Sequence, residues 1–242
     1  IRLSTFYGKA MPIRQKSVGA SDSVTSFDIE AELFLREKLG AYDSSIGFRG
    51  EELPPTGRDD LYWLIDPIDG TEYFIRGVPF CTTMVALIDQ DHVVSSVIYN
   101  IATGELFVAE RGRGATCNGV PIHVSDRPPS RAYLSVNTTS ATDRSAKTFL
   151  EIRRRYTVQN LICCGYEFCL IAQGKTEGLI SFDPYGNDYD FAAGTLLIAE
   201  AGGHVTNVGS SGYDLHNYDY IAANVPVYEE LSRLDSPLAA YM

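Results

Sequence analysis

The chain has 242 residues, 45% of them apolar, so it can bury a sizeable core as one large domain or as two subdomains sharing an interface. Its 31 acidic against 20 basic residues give a formal charge of −11, which argues against a nucleic-acid polymer or an anionic membrane as partner and makes cations the natural guests. No apolar run approaches the roughly 20 residues that span a bilayer, the start "IRLSTFYGKA" lacks a signal-like apolar centre, and the five cysteines include no C-x-x-C pair; the thiols read as reduced core residues of a cytoplasmic protein.

The stretch "SFDIEAELFLREKLGAY" (26–42) puts Ile29, Leu33, Phe34 and Leu39 at helical spacing, with Asp28 at its head and Gly40 near its end. It predicts an amphipathic helix. The apolar run "SIGF" leads to Glu51 and Glu52, and "LYWLI" (61–65) reads as a short buried strand. Asp66 closes that strand, Pro67 turns the chain, and Asp69-Gly70-Thr71 has the character of a helix start. "TTMVALID" and "VVSSVIYN", parted by "QDH", predict a hairpin, and "GELFVAERGRGATCNGVPIHVS" continues with short strands. "SDRPPSRA" (125–132) marks a boundary, dividing 1–128 from 129–242. Beyond it strands and helices alternate: "YLSVN", "VQNLICC", "GLISF" and "YIAAN" as strands, "AKTFLEIRRRY", "FCLIAQGK" and "DFAAGTLLIAEAGG" as helices, the last stopped by Gly202-Gly203. Neither G-x-x-x-x-G-K-[ST] nor G-x-G-x-x-G occurs, which argues against an NTPase or dinucleotide enzyme.

The chemistry concentrates in "DPIDGT" (66–71). Asp66 and Asp69 would bring two carboxylates to one spot, and the backbone N–H groups of Gly70 and Thr71 would point at the same place, as at a helix start that receives a phosphate. Carboxylates repel a phosphate unless positive charge lies between them. The pattern therefore points to bridging divalent cations, Mg²⁺ first because its ligands are all oxygen. An Asp-Pro turn with an N-cap explains "DPIDGT" taken alone, a solvated turn explains Glu51 and Glu52, and an N-cap explains Asp190. Acidic sites at the ends of three expected elements are more than capping requires.

"GEE" (50–52), "WLIDPIDGT" (63–71) and "YDFAAGTLLIAEAGG" (189–203) resemble, in order and spacing, the signature segments of the inositol monophosphatase-like, lithium-sensitive, Mg²⁺-dependent phosphatases. "DSVTSFD", "GELFVAERGRGATCNGVPIHVS" and "IAAN" extend the resemblance over nearly the whole chain. It implies an α+β or α/β fold, the layered αβαβα sandwich of the sugar phosphatase type. Most metal ligands would lie in residues 1–128, with Asp190 and part of the substrate pocket in 129–242. It also implies two or three Mg²⁺ ions per site: Glu51, Asp66 and the Ile68 carbonyl hold the first, and Asp66, Asp69 and Asp190 the second. Gly70 and Thr71 would hold the phosphate. Thr71, hydrogen-bonded to Asp28, would work with Glu51 to orient and deprotonate a metal-activated water for in-line attack. Asp69, Cys164 and Asp183 are assigned to substrate, Lys16 matches the family's lysine near the metals, and Glu52 and Glu167 are further acids near the site. A homodimer and lithium inhibition are implied by the family alone.

Three departures bear on the substrate. Glu72-Tyr73-Phe74 follows "DGT" where the inositol branch has Thr-Asn-Phe and the nucleotide branch Lys-Glu-Phe. "SFDPYGNDYD" is longer than the inositol-type segment, so the family's inositol-binding glutamate falls on Ser181 or near Asp183. Only "IRLSTFYGK" stands for the family's first helix, so some N-terminal sequence is expected to be missing. The expected function is hydrolysis of a phosphate monoester of a small polyol or sugar, inositol monophosphate first. The alternatives are 3′-phosphoadenosine 5′-phosphate, histidinol phosphate or fructose 1,6-bisphosphate and, from another class, a non-catalytic acidic cation-binding module, which would have no need of Thr71. His92, His123, His204 and His216 show no metal-ligand spacing, and the arginines of "RRRY" (153–156) are expected to complement a helix end and stay solvated.

Overall fold

The computed structural model describes residues 3–15, 23–161, 163–183 and 186–242. Strands β1 (Pro12–Gln15) and β2 (Ser23–Thr25) pair antiparallel and lead into helix α1 (Ser26–Tyr42). Thr25 caps α1 by accepting from the Phe27 N–H at 3.1 Å, while the Asp28 carboxylate accepts from the Thr25 N–H at 2.7 Å and its hydroxyl at 2.6 Å. This reciprocal cap fixes where the helix starts and pins one oxygen of Asp28.

A seven-stranded sheet follows in chain order: β3 (Gly47–Gly50), β4 (Leu61–Asp69), β5 (Thr82–Asp89), β6 (His92–Asn100), β7 (Leu106–Glu110), β8 (Gly114–Cys117) and β9 (Val120–Pro121). Only β3 and β4 run parallel; the other neighbours are antiparallel. The short helix α2 (Thr71–Arg76) joins β4 to β5. The second half supplies β10 (Tyr133–Asn137), α3 (Asp143–Arg155), β11 (Thr157–Gln159), α4 (Cys164–Ala172) and β12 (Gly178–Ser181). It continues with α5 (Asp188–Glu200), β13 (His204–Asn207), β14 (Tyr220–Ala223) and α6 (Val225–Leu231). Its five strands lie in the order β11-β10-β12-β14-β13, the first three parallel and β14 antiparallel to both neighbours.

Helices α4 and α5 fill the space between the sheets, α1 covers the outer face of the larger sheet, and α3 and α6 cover the smaller one. That is the expected αβαβα layering. Its central position explains α5: Phe191 through Ile198 are all buried, an apolarity all round that only a helix pressed on both sides can use. Every residue of β12 and β14 is likewise buried, as in a sheet covered on both faces.

Several boundaries differ from expectation. The strand that starts at Leu61 runs on to Asp69. "VQNLICC" contributes only Thr157–Gln159 to the sheet, because Asn160 then turns its side-chain amide onto the Val136 carbonyl at 2.7 Å in place of a backbone rung. The helix expected in "FCLIAQGK" already begins at Cys164. Strands β1, β2 and β3 were not signalled by periodicity, being too short to show one.

Candidate active site

Side chains on a strand alternate, so Asp66 and Asp69 on a regular β4 would point to opposite faces. The pairing prevents this. Asp66 stands opposite Met84 and Asp69 opposite Thr82, three steps on β4 against two on β5, so an extra residue at Pro67-Ile68 brings both carboxylates to the inner face. Pro67 is therefore part of a bulge rather than a turn, in a position where its missing N–H breaks no rung. Its carbonyl accepts from the Thr83 hydroxyl at 2.8 Å. Gly70 then takes φ 76°, a left-handed conformation that favours glycine, and launches α2. The Thr71 hydroxyl lies 3.1 Å from Asp28 Oδ1 and 2.8 Å from the Ile68 carbonyl, which joins α1, the bulge and α2 at one point.

Asp69 is held from the second half of the chain. Its Oδ2 accepts from the Gly165 N–H at 2.6 Å, the Cys163 thiol at 3.1 Å and the Thr82 hydroxyl at 3.2 Å. None of these three was found from the sequence. The available signal was Gly165 itself, a glycine in the first turn of an apolar helix: a Cβ there would stand 2.3 Å from Thr82 Oγ1 and 2.6 Å from the Met84 sulfur. Asp190 closes the first turn of α5, its Oδ2 accepting from the Asn187 N–H at 2.6 Å. Glu51 follows β3, where its N–H donates to the Ile65 carbonyl at 3.2 Å and its carboxyl acts on Asp66 as a like charge. The "GEE" turn is shaped by fully buried Glu32, which packs so tightly on Gly50 that a Cβ would lie 2.2 Å from its Oε1. Glu32 Oε2 accepts from the Glu52 N–H at 2.8 Å, and the Glu52 carboxylate pairs with Arg14 at 3.1 Å.

Burial pushes Asp66 well above the usual carboxylate range, and the charges of Glu51, Asp69 and Asp190 push it further. Asp190 is raised well above that range by burial, then by Asp69 and Glu51; Asp69 is raised by burial against the pull of its hydrogen bonds. Asp28 is raised by burial, opposed by Thr25. One oxygen of Asp66 is buried with no hydrogen-bond partner. Among the described residues, no three acidic, thiol or imidazole side chains are closed round a point tightly enough to hold an ion as they stand. The acids nevertheless share one field, and mutual repulsion opposes their closure. An orphaned buried oxygen, repelling neighbours and all-oxygen donors suit a hard divalent cation and not a thiolate-seeking one.

Other expected residues fall at the margins. Cys164 is buried, its sulfur 3.3 Å from Asn137 Nδ2. Glu167 is fully buried; one oxygen accepts from the Leu161 N–H at 2.8 Å, the other has no partner, and burial pushes the group up to about 8. Asp183 accepts from the Thr139 hydroxyl at 2.7 Å and the Ala141 N–H at 3.3 Å, which ties it to the loop after β10. Ser181 is a buried end residue of β12. Lys16 lies outside the described residues.

Two sheets with a helical layer between them, and clustered acids beside a threonine-led helix, define the layered sugar-phosphatase class. A sequence model of the inositol monophosphatase family matches residues 2–239, and the chain belongs to that family. It is 31% identical to an inositol-1-monophosphatase of Rhizobium meliloti over 95% of this chain and 88% of that one. It is 27% identical to a fructose-1,6-bisphosphatase/inositol-1-monophosphatase of Thermotoga maritima, over 91% and 85%. Among solved structures, the extragenic suppressor protein suhB of Bartonella henselae superposes with a TM-score of 0.86 at 28% identity, over 96% and 92%.

Proposed function

We propose that this chain is a Mg²⁺-dependent phosphomonoesterase whose first substrate is inositol monophosphate. The observation that carries the reading is the buried, unpartnered oxygen of Asp66, surrounded by like charges at the foot of a bulge that delivers Gly70 and Thr71. Glu51, Asp66 and the Ile68 carbonyl would hold one ion, and Asp66, Asp69 and Asp190 a second. Bound there, Mg²⁺ supplies Lewis acidity and eases the ionisation of a water. The chain's own residues do the rest. Gly70 and Thr71 present N–H groups to the phosphate. When the Thr71 hydroxyl donates to Asp28, its lone pair is free to accept from the attacking water, and Glu51 takes the second proton. Asp69, held by three donors on one oxygen, keeps the other turned to the ligand. Cys164 and Asp183 would border the alcohol side, whereas Glu167 is fully buried and offers it no surface.

A panel of inositol monophosphate, fructose 1,6-bisphosphate, histidinol phosphate and 3′-phosphoadenosine 5′-phosphate, assayed with Mg²⁺ and with EDTA, tests the reading. Metal-dependent release of phosphate from the inositol ester is expected. Negligible turnover of every ester with Mg²⁺ would sink it. The five free thiols support a reducing compartment, the cytoplasm, and two copies per particle are expected by sedimentation. Among the described residues, no helix is long and apolar enough to cross a membrane.

A further inference from the structure

A cavity of about 580 Å³ opens at the far end of β10 from the acidic cluster. Asn137, the last residue of β10, reaches Cys164 beside the cluster, whereas Tyr133, the first, lines the cavity. Four steps of about 3.3 Å separate the two by roughly 13 Å. The cavity is lined by Arg127, Arg131, Arg154, Arg155 and Lys175 and, among the described residues, by no acidic one, in a chain whose net charge is −11. Two of these are the arginines of "RRRY" that the sequence assigned to a solvated helix end.

Four of the five cations form no ion pair. Among the described residues Arg14, Arg36, Arg49, Arg58, Arg76, Arg113 and Arg233 each meet a carboxylate, and Arg111, Arg144 and Arg153 do not; what marks the cavity is that its unpaired cations are gathered at one place. Among the described residues, none of Arg131, Arg154, Arg155 and Lys175 has such a partner. The fifth, Arg127, is fixed in place by fully buried Glu177 at 2.6 Å and by the Gly174 carbonyl. Glu177 also accepts from the Tyr133 N–H at 2.7 Å, so the same carboxylate anchors the cavity wall and the start of β10. Glu230, on α6, is occupied by the Tyr156 hydroxyl, and no ion pair joins Glu151 or Asp126 to the cavity's cations among the described residues. Bringing four like charges to one concavity costs energy that a dissolved counter-ion only partly relieves, and a ligand with several negative charges relieves it best.

We propose that this cavity is a second anion site, separate from the active site, for a small molecule carrying two or more phosphate groups. A monoanion would leave most of the positive charge uncompensated. The volume falls within the range of small-molecule pockets, and planar guanidiniums match phosphate oxygens two at a time. Tyr133, 51% exposed, and Thr157, its partner on the adjoining strand, give the wall an aromatic face and a hydroxyl for the rest of such a molecule.

Inorganic pyrophosphate is the probe, titrated calorimetrically into the full chain in EDTA, where the acidic cluster repels anions. One saturable site is expected, weakened by salt and binding orthophosphate at least about tenfold more weakly. The double variant Arg131→Glu, Arg154→Glu should weaken pyrophosphate by at least about 30-fold, the scale of two lost charge-assisted contacts. Arg153→Glu makes the same kind of charge change on the same helix end but outside the cavity, and should alter binding less than about twofold. Asp66→Asn should leave it unchanged. If the double variant melts early, Lys175→Glu alone, at an exposed position, carries the test. Three outcomes overturn the proposal: no saturable binding, binding indifferent to Arg131, Arg154 and Lys175, or loss of binding in Asp66→Asn. Saturable capture of a single-stranded RNA without capture of pyrophosphate overturns it as well.

Discussion

Glu32 and Glu177 are buried as deeply as Asp66, yet each meets its counter-charge: Glu32 takes Arg36 at 2.6 Å and the Glu52 N–H, and Glu177 takes Arg127, the Ser125 hydroxyl and the Tyr133 N–H. Asp66, Asp69 and Asp190 have neutral donors or none and feel one another's like charge instead, and Asp66 keeps one oxygen with no partner at all. Burial alone therefore does not mark a functional acid in this molecule. What separates the two kinds is whether the fold supplies the opposite charge, because a fold that neutralised Asp66 internally would have nothing left to offer a cation.

The sharpest way to break this comparison is Asp66→Asn. Hydrolysis should fall by about 10²–10³-fold, the scale of losing one preorganised electrostatic group, while the melting temperature in EDTA rises because a repelled charge has gone. A lower metal-free melting temperature would show that the fold had satisfied Asp66 after all. The raised carboxyls fix the sign with pH. The folded state keeps protons that the unfolded chain has already released, so metal-free stability falls as pH climbs from the ordinary carboxylate range toward the raised values. Mg²⁺ must displace those protons, so its affinity, followed by titration calorimetry, should increase over the same interval.

Thr71→Ala comes next. It should lower kcat by about 10²-fold, as for loss of a proton-handling group, with Mg²⁺ affinity nearly unchanged. Equal losses in both would make Thr71 part of the ion's housing and not of the water's. Glu177→Ala should reverse the pattern seen at Asp66: stability drops by about 2–3 kcal/mol as charged and backbone donors lose their acceptor, and turnover per folded molecule holds. Denaturant midpoints with activity per folded fraction separate the two. The smallest effect belongs to Glu167→Gln. Because the wild-type group holds its proton up to about 8 against 4.5 in the open chain, it withdraws stability between those values. The variant's advantage in melting temperature should grow from pH 5 to pH 8, and parallel curves would contradict the protonated state.

Much of this arrangement was legible in the sequence, because it is written locally. Asp28 stands at a capping position, "DPIDGT" brackets a strand-to-helix junction, and Asp190 heads a long apolar helix. What holds Asp69 was not legible: Cys163 and Gly165 lie on the far side of the boundary near residue 128, and nothing in their own neighbourhood announces a carboxylate partner. The bulge was missed for a different reason. Pro67 reads as a stop, and only pairing with β5 shows that the strand continues through it. Glu32 was invisible because Ile29, Leu33, Phe34 and Leu39 read as the inner face of α1; the structure instead exposes Leu33 and Phe34 and buries Glu32, whose meeting with Gly50 is a contact between separate elements.

The kink in β4 makes catalysis a question of parity. Were β5 one residue longer between Thr82 and Met84, β4 could pair through Pro67-Ile68 step for step, with no bulge. It would turn one of its two aspartates outward, so a protein with an intact sheet and a normal melting curve could be inert through nothing more than an even count on the neighbouring strand becoming odd.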